Sequence, residues 1–234
     1  MLKVDDLVAG YGRTIVLHGL SLSVETAEIV AVLGRNGVGK STLLRALMGT
    51  IPVSSGTITL DGAGIERLPA HVRARRGLAY VPQGREVFPR LSVLENLRVA
   101  AYASRQQDWS TRLDGVLEDF PILSERRNAR ADSLSGGQQQ ILAVARALMT
   151  YPRILLLDEP SEGIQPSIID QIADTIRAIK VDRGISVVLV EQNLDFAAEL
   201  AERAYLMQKG RIVRSLSPVE VLQDRELQRE YMGV

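Results

Sequence analysis

The chain has 234 residues, with 28 Lys+Arg against 28 Asp+Glu, and no cysteine. Zero net charge argues against a chain that grips nucleic acid through its phosphates, and the missing cysteines exclude a disulfide framework and a thiolate metal site. No apolar run nears the roughly 20 residues of a membrane helix, and Met1-Leu2-Lys3-Val4-Asp5-Asp6 has no apolar leader core; a soluble, intracellular domain able to bury its own core is expected.

Residues 2–8, 20–24 and 57–60 read as short strands with turn signals such as Asp61-Gly62 between them, which predicts an antiparallel β portion. Ile29-Val30-Ala31-Val32-Leu33 is a continuous branched apolar run, as expected of a strand buried on both faces. It leads into Gly34-Arg35-Asn36-Gly37-Val38-Gly39-Lys40-Ser41-Thr42 and then a helix over 41–48 stopped by Gly49. Residues 84–149 lack strand-like runs and read as a helical insertion. Its last helix, carrying Ile141, Val144, Ala145 and Leu148 on one face, follows Leu134-Ser135-Gly136-Gly137-Gln138. Buried strands are expected at 154–157, ending in Asp158-Glu159, and at 186–190. Between them Pro166 opens a helix with Ile168, Ile172, Ile176 and Ile179 on one side. A hairpin over 204–213 and a helix capped by Ser217-Pro218-Val219-Glu220 complete one α/β unit.

The strand, glycine loop and helix make a phosphate-binding loop. Its glycines let successive N–H groups face phosphates, the helix adds its positive end, Lys40 supplies a point charge, and the Ser41 hydroxyl reaches a magnesium ion. Asp158 and Glu159 end a buried strand, where two adjacent carboxylates are costly without partners. Asp158 would hold the metal, leaving Glu159 to orient and deprotonate the attacking water. Ser135-Gly136-Gly137-Gln138, opening a helix, forms a second anion site. One nucleotide cannot easily use two such loops of one chain, so a head-to-tail dimer is the physical solution.

The three motifs in this order resemble the ATPase subunits of ABC (ATP-binding cassette) machines, and the likeness runs from about Leu2 to Val213. The resemblance implies a P-loop ATPase core of mixed sheet with an antiparallel β portion and a helical insertion, acting on ATP with Mg²⁺. It implies that Tyr11 stacks on adenine. It also implies that Gln83, in Tyr80-Val81-Pro82-Gln83, senses the metal and water and links the site to the insertion.

Two positions depart from the family pattern. Gln192 stands where a histidine usually contacts the γ-phosphate, and Gln165 where many relatives carry an aspartate that couples the two sites of the dimer. Gln192 can donate a hydrogen bond but carries no charge, so a modest ATPase rate that depends on Gln192 is expected. With Glu191-Gln192-Asn193, Glu162-Gly163-Ile164-Gln165-Pro166-Ser167, Gly84-Arg85-Glu86-Val87-Phe88-Pro89 and the Tyr231-Met232-Gly233-Val234 ending, the chain resembles the branched-chain amino acid and amide importers, and within them the urea and short-chain amide ATPases. This implies permease subunits as membrane partners, docked beside Val87 and Phe88, and a second ATPase subunit, with a heterodimer favoured. It further implies a solute-binding protein, and a place at the cytoplasmic face of the inner membrane. Lipid or lipopolysaccharide export remains the alternative.

Overall fold

The computed structural model describes residues 1–103 and 109–233; residues 104–108 of the expected insertion and Val234 of the terminal motif lie outside them. Two sheets carry the fold. The first is antiparallel, in the order β2-β1-β4-β5, from β1 (Leu2–Tyr11), β2 (Thr14–Val24), β4 (Val53–Leu60) and the short β5 (Ala63–Gly64). The second has six strands, in the order β10-β9-β3-β8-β7-β6. Its members are β3 (Ile29–Leu33), β6 (Leu78–Val81), β7 (Ile154–Asp158), β8 (Ser186–Glu191), β9 (Arg203–Gln208) and β10 (Arg211–Leu216). All its pairings are parallel except that of β9 with β10.

Strands β3, β7 and β8 are buried at every position, and the period of two decides what each side chain meets. Ile29, Ala31, Leu33, Leu155, Leu157, Val187 and Leu189 face one core. It is shared with α6 (Gly136–Leu148), α7 (Pro166–Arg183) and α8 (Leu194–Leu200). Val30, Val32, Ile154, Leu156, Val188 and Val190 face the other, shared with the antiparallel sheet and α1 (Lys40–Met48). A continuous apolar run is therefore two alternating half-sets, each filling its own layer.

Between β6 and β7 the helices among the described residues are α3 (Val93–Ala103), α4 (Trp109–Asp119), α5 (Pro121–Glu125), a 3₁₀ turn and α6, joined by loops. On α7, Ile172, Ile176 and Ile179 are buried and Ile168 packs partly against the same core; each buried isoleucine contributes about 1.5–3 kcal/mol of transfer free energy. Gly184, at φ 63°, closes α7. Ser217 caps α9 (Pro218–Gln223) by accepting from Val219 N–H at 3.3 Å.

Several short elements were not expected, among them β5, β6, α2 (Ala70–Arg75) and α8. Strand β6 is four residues long and α2 six, both too short to show a period. β1 and β2 run further than their apolar residues suggest. The register slips between Val4 and Leu7, where Asp6 takes a φ of 48°, so the alternation breaks while pairing continues.

Candidate active site

Chain direction creates the crevice. The backbone leaves β3 toward α1 on one face of the six-stranded sheet and leaves β8 toward α8 on the opposite face. Leu43, Leu44 and Leu47 accordingly belong to one core and Phe196 and Ala197 to the other. Such a divergence at the carboxyl ends of parallel strands is where open α/β sheets bind ligands.

The loop after β3 is shaped by close approach. A Cβ on Gly34 would lie 2.5 Å from the Met207 carbonyl oxygen, and Gly39, which starts α1, holds φ at 111°; side chains would be strained at both. Lys40 is 4% exposed. Its Nζ donates to the carbonyls of Gly34 at 2.8 Å and Arg35 at 3.2 Å, and pairs with Glu159 Oε1 at 3.1 Å. A buried ammonium thus has three oxygen partners.

At the end of β7, Asp158 is buried and accepts from Ser41 Oγ at 2.9 Å and from the Tyr80 hydroxyl at 2.8 Å. Burial pushes its carboxyl up, the two hydrogen bonds oppose that, neighbouring Glu159 raises it further, and Arg45 lowers it. The Tyr80 hydroxyl is itself pushed well above its ordinary value by burial and by Asp158, so it stays protonated and donates. Glu159 follows with φ at 47°, its N–H donating to Val190 O at 2.9 Å. A left-handed non-glycine residue stores about 1–3 kcal/mol of strain, and here the turn directs the carboxylate back to Lys40.

Two amides close on that carboxylate. Gln192 Nε2 donates to Glu159 Oε1 at 3.2 Å and is hydrogen-bonded to Asn36 Oδ1. Gln83 Nε2 donates to Glu162 Oε2 at 2.7 Å and stands 3.5 Å from Glu159 Oε2. Glu191 is buried beneath the turn. It accepts from Ser161 N–H at 3.0 Å, Gln192 N–H at 3.0 Å and Asn193 N–H at 3.1 Å, and burial pushes its carboxyl up against those bonds. Tyr11, at the end of β1, is 42% exposed and accepts from Arg45 Nη1 at 3.1 Å.

Lys40, Ser41, Asn36, Gln83, Asp158, Glu159 and Gln192 are therefore joined by direct contacts. Ser135-Gly136-Gly137-Gln138 is not; among the described residues no hydrogen bond or ion pair links it to the phosphate loop. It forms a capping box at the start of α6, with Ser135 Oγ accepting from Gln138 N–H at 3.3 Å and Gln138 Oε1 from Ser135 N–H at 3.0 Å. The exposed Ser135 and the helix end leave it open to an anion from outside the chain. The Arg85 guanidinium lies over it, 2.8 Å from where a Gly136 Cβ would stand.

A hydroxyl and a carboxylate 2.9 Å apart, beside a glycine cradle with a buried lysine, are hard oxygen donors placed for Mg²⁺ with a phosphate chain. Among the described residues no three His, Cys, Asp or Glu cluster so as to hold a metal ion.

The family model described as ABC transporter matches residues 17–162. The chain belongs to the ABC transporter family, as an ATP-binding subunit. It is 43% identical to the high-affinity branched-chain amino acid transport ATP-binding protein BraG of Pseudomonas aeruginosa, over all of both chains. It is 38% identical to the probable branched-chain amino acid transport protein LivF of Archaeoglobus fulgidus, over all of this chain and 99% of that one. The lipopolysaccharide export protein LptB of Escherichia coli is 35% identical, over 99% of this chain and 97% of its own. Among solved structures, the ADP conformation of the ATP-binding cassette MJ1267 aligns at a TM-score of 0.90 and 25% identity, covering 100% of this chain and 99% of that one. The dimeric, post-hydrolysis cassette MJ0796 bound to ADP and phosphate aligns at 0.82 and 25%, covering 93% and 99%. The subunit is an ATPase that binds ATP with Mg²⁺ and powers a transporter; such cassettes form dimers and work with membrane permeases. Among the described residues no helix is long and apolar enough to cross a membrane.

Sequence reading missed Tyr80, Arg45 and Glu162 at this site. Tyr80 pairs in register with Leu156, so Asp158, two residues on, shares its face of the sheet; only the register would have joined them.

Proposed function

We propose that this ATPase drives an importer of the branched-chain amino acid and amide branch, with the residue pattern favouring urea or a short-chain amide as solute. The convergence of Lys40, Ser41, Asp158, Glu159 and Gln192 on one crevice supports the ATPase chemistry, and the 43% identity to BraG over all of both chains supports the importer branch. The loop 34–42 cradles the β- and γ-phosphates, Lys40 turns from Glu159 to the phosphates, and Ser41, Asp158 and Gln83 hold the Mg²⁺. That ion, when bound, offsets the charge developing on the transferred phosphoryl group. Glu159, kept close by Gln192, takes a proton from the attacking water, and Gln192 donates to the γ-phosphate. Tyr11, exposed beside α1, offers its ring to adenine. Ser135 and the N–H groups of Gly136, Gly137 and Gln138 meet the γ-phosphate of a second ATPase subunit, head to tail, which we read as a different chain.

Permease docking is supported by the surface around 84–97. Phe88 is 41% exposed, with the Arg146 guanidinium 4.5 Å over its ring. Beside it, a groove of about 350 Å³ lies between the end of β6 and helices α3 and α6, lined by Pro82, Val99, Ala100, Ala143 and Arg146. Exposed apolar clusters of this kind mark partner sites. The working place is then the cytoplasmic face of the inner membrane, opposite a solute-binding protein. Lipopolysaccharide export is the second reading, supported by the 35% identity to LptB. Lys40→Ala should abolish ATP binding in a calorimeter, whereas Phe88→Ala should leave it intact and lower transport. Loss of ATP binding in the Phe88 variant would make that ring core and remove the docking site.

A further inference from the structure

We propose that Tyr80 is the positioning residue for the metal-holding carboxylate. This rests on the reading of Asp158 as metal holder. The observation is a buried carboxylate engaged at both oxygens. Ser41 Oγ donates to Asp158 Oδ1 at 2.9 Å, and the Tyr80 hydroxyl donates to Asp158 Oδ2 at 2.8 Å.

Each link has a physical task. The terminal torsion of an aspartate is broad, and Asp158 is 1% exposed, so water does little to hold it. With Oδ2 engaged by Tyr80, Oδ1 is fixed beside Ser41. Mg²⁺ needs that, because it demands near-octahedral oxygen geometry. Tyr80 reaches across because it sits on β6 next to β7, in register with Leu156 and therefore two residues from Asp158 on the same face.

The test uses the slow-hydrolysing Glu159→Gln chain with ATP, and reads Mn²⁺ retention by electron paramagnetic resonance rather than turnover. Tyr80→Phe should weaken Mn²⁺ retention about tenfold, the loss of one hydrogen bond to a charged group, with metal-free ATP affinity unchanged. Tyr80→Leu removes the donor from the same position and should weaken Mn²⁺ retention likewise, if a melting scan shows that Tyr80→Phe folds poorly. Unchanged Mn²⁺ retention in Tyr80→Phe or, where that variant folds poorly, in Tyr80→Leu would overturn the positioning role. Asp158→Asn serves as control; full Mn²⁺ retention there would instead defeat the assignment of Asp158 on which the inference stands.

Discussion

Glu159→Gln probes both the chemistry and the resting charge balance of the site. At 3.1 Å, with both side chains buried, the Lys40–Glu159 pair has a gross attraction of about 5 kcal/mol at an effective dielectric near 20. Lys40 keeps its bonds to the Gly34 and Arg35 carbonyls in the variant. The net cost to the nucleotide-free protein is therefore smaller, about 1.5–3 kcal/mol. A phosphate chain returns a counter-charge to Lys40 and no longer competes with the carboxylate. Metal-free ATP should then bind about 10- to 150-fold more tightly than to the parent. The nucleotide-free variant should melt lower, by about 2–4 °C per kcal/mol lost, and hydrolysis should fall about a hundredfold or more with the base gone. Calorimetric titration, a melting scan and a phosphate-release assay read the three effects. Equal ATP affinity and equal melting would refute the resting pair as the charge balance, and equal hydrolysis would move the base elsewhere.

Gln192→Ala removes the amide between Asn36 and Glu159; hydrolysis should slow by about tenfold, the worth of one hydrogen bond to an ionised group, and a parental rate would end that role. Arg73 is 2% exposed and donates to the carbonyls of Leu68, Ala46, Leu47 and Glu66 at 2.7–2.8 Å, capping the end of α1. Arg73→Met should cost about 2–4 kcal/mol in urea denaturation, because two buried and two part-buried acceptors lose their donor; a loss under about 1 kcal/mol would mean that solvent replaces it. Glu191 carries a pH signature. Burial raises its folded-state pKa above the ordinary 4.5, so the folded protein holds that proton longer and stability falls as pH rises from 4.5 through the raised value. The stability of the parent relative to Glu191→Gln should decline over that window in denaturant titrations, and a flat difference contradicts the desolvated carboxyl.

Much of the site is legible in the sequence because its chemistry is local. The loop 34–42, Asp158-Glu159 and the Ser135 cap each work through spacing along a few residues, and the strands that lead into the first two, β3 and β7, are continuous apolar runs. What was hidden depends on pairs far apart in the chain. Tyr80 meets Asp158 through strand register, Gln83 meets Glu162 across two loops, and Arg73 reaches carbonyls on α1 from α2. None of these leaves a periodic mark. Strand β6, carrying Tyr80, is only four residues long, so the residue that donates to the Asp158 carboxylate at 2.8 Å went unread.

Uptake of labelled urea and labelled leucine, side by side, in source cells lacking this chain tests the import reading most directly. Loss of urea uptake, restored by the parent chain and not by Lys40→Ala, is the predicted result. Unchanged uptake of both solutes would contradict an importer of this branch, while loss of leucine uptake alone would contradict the amide solute.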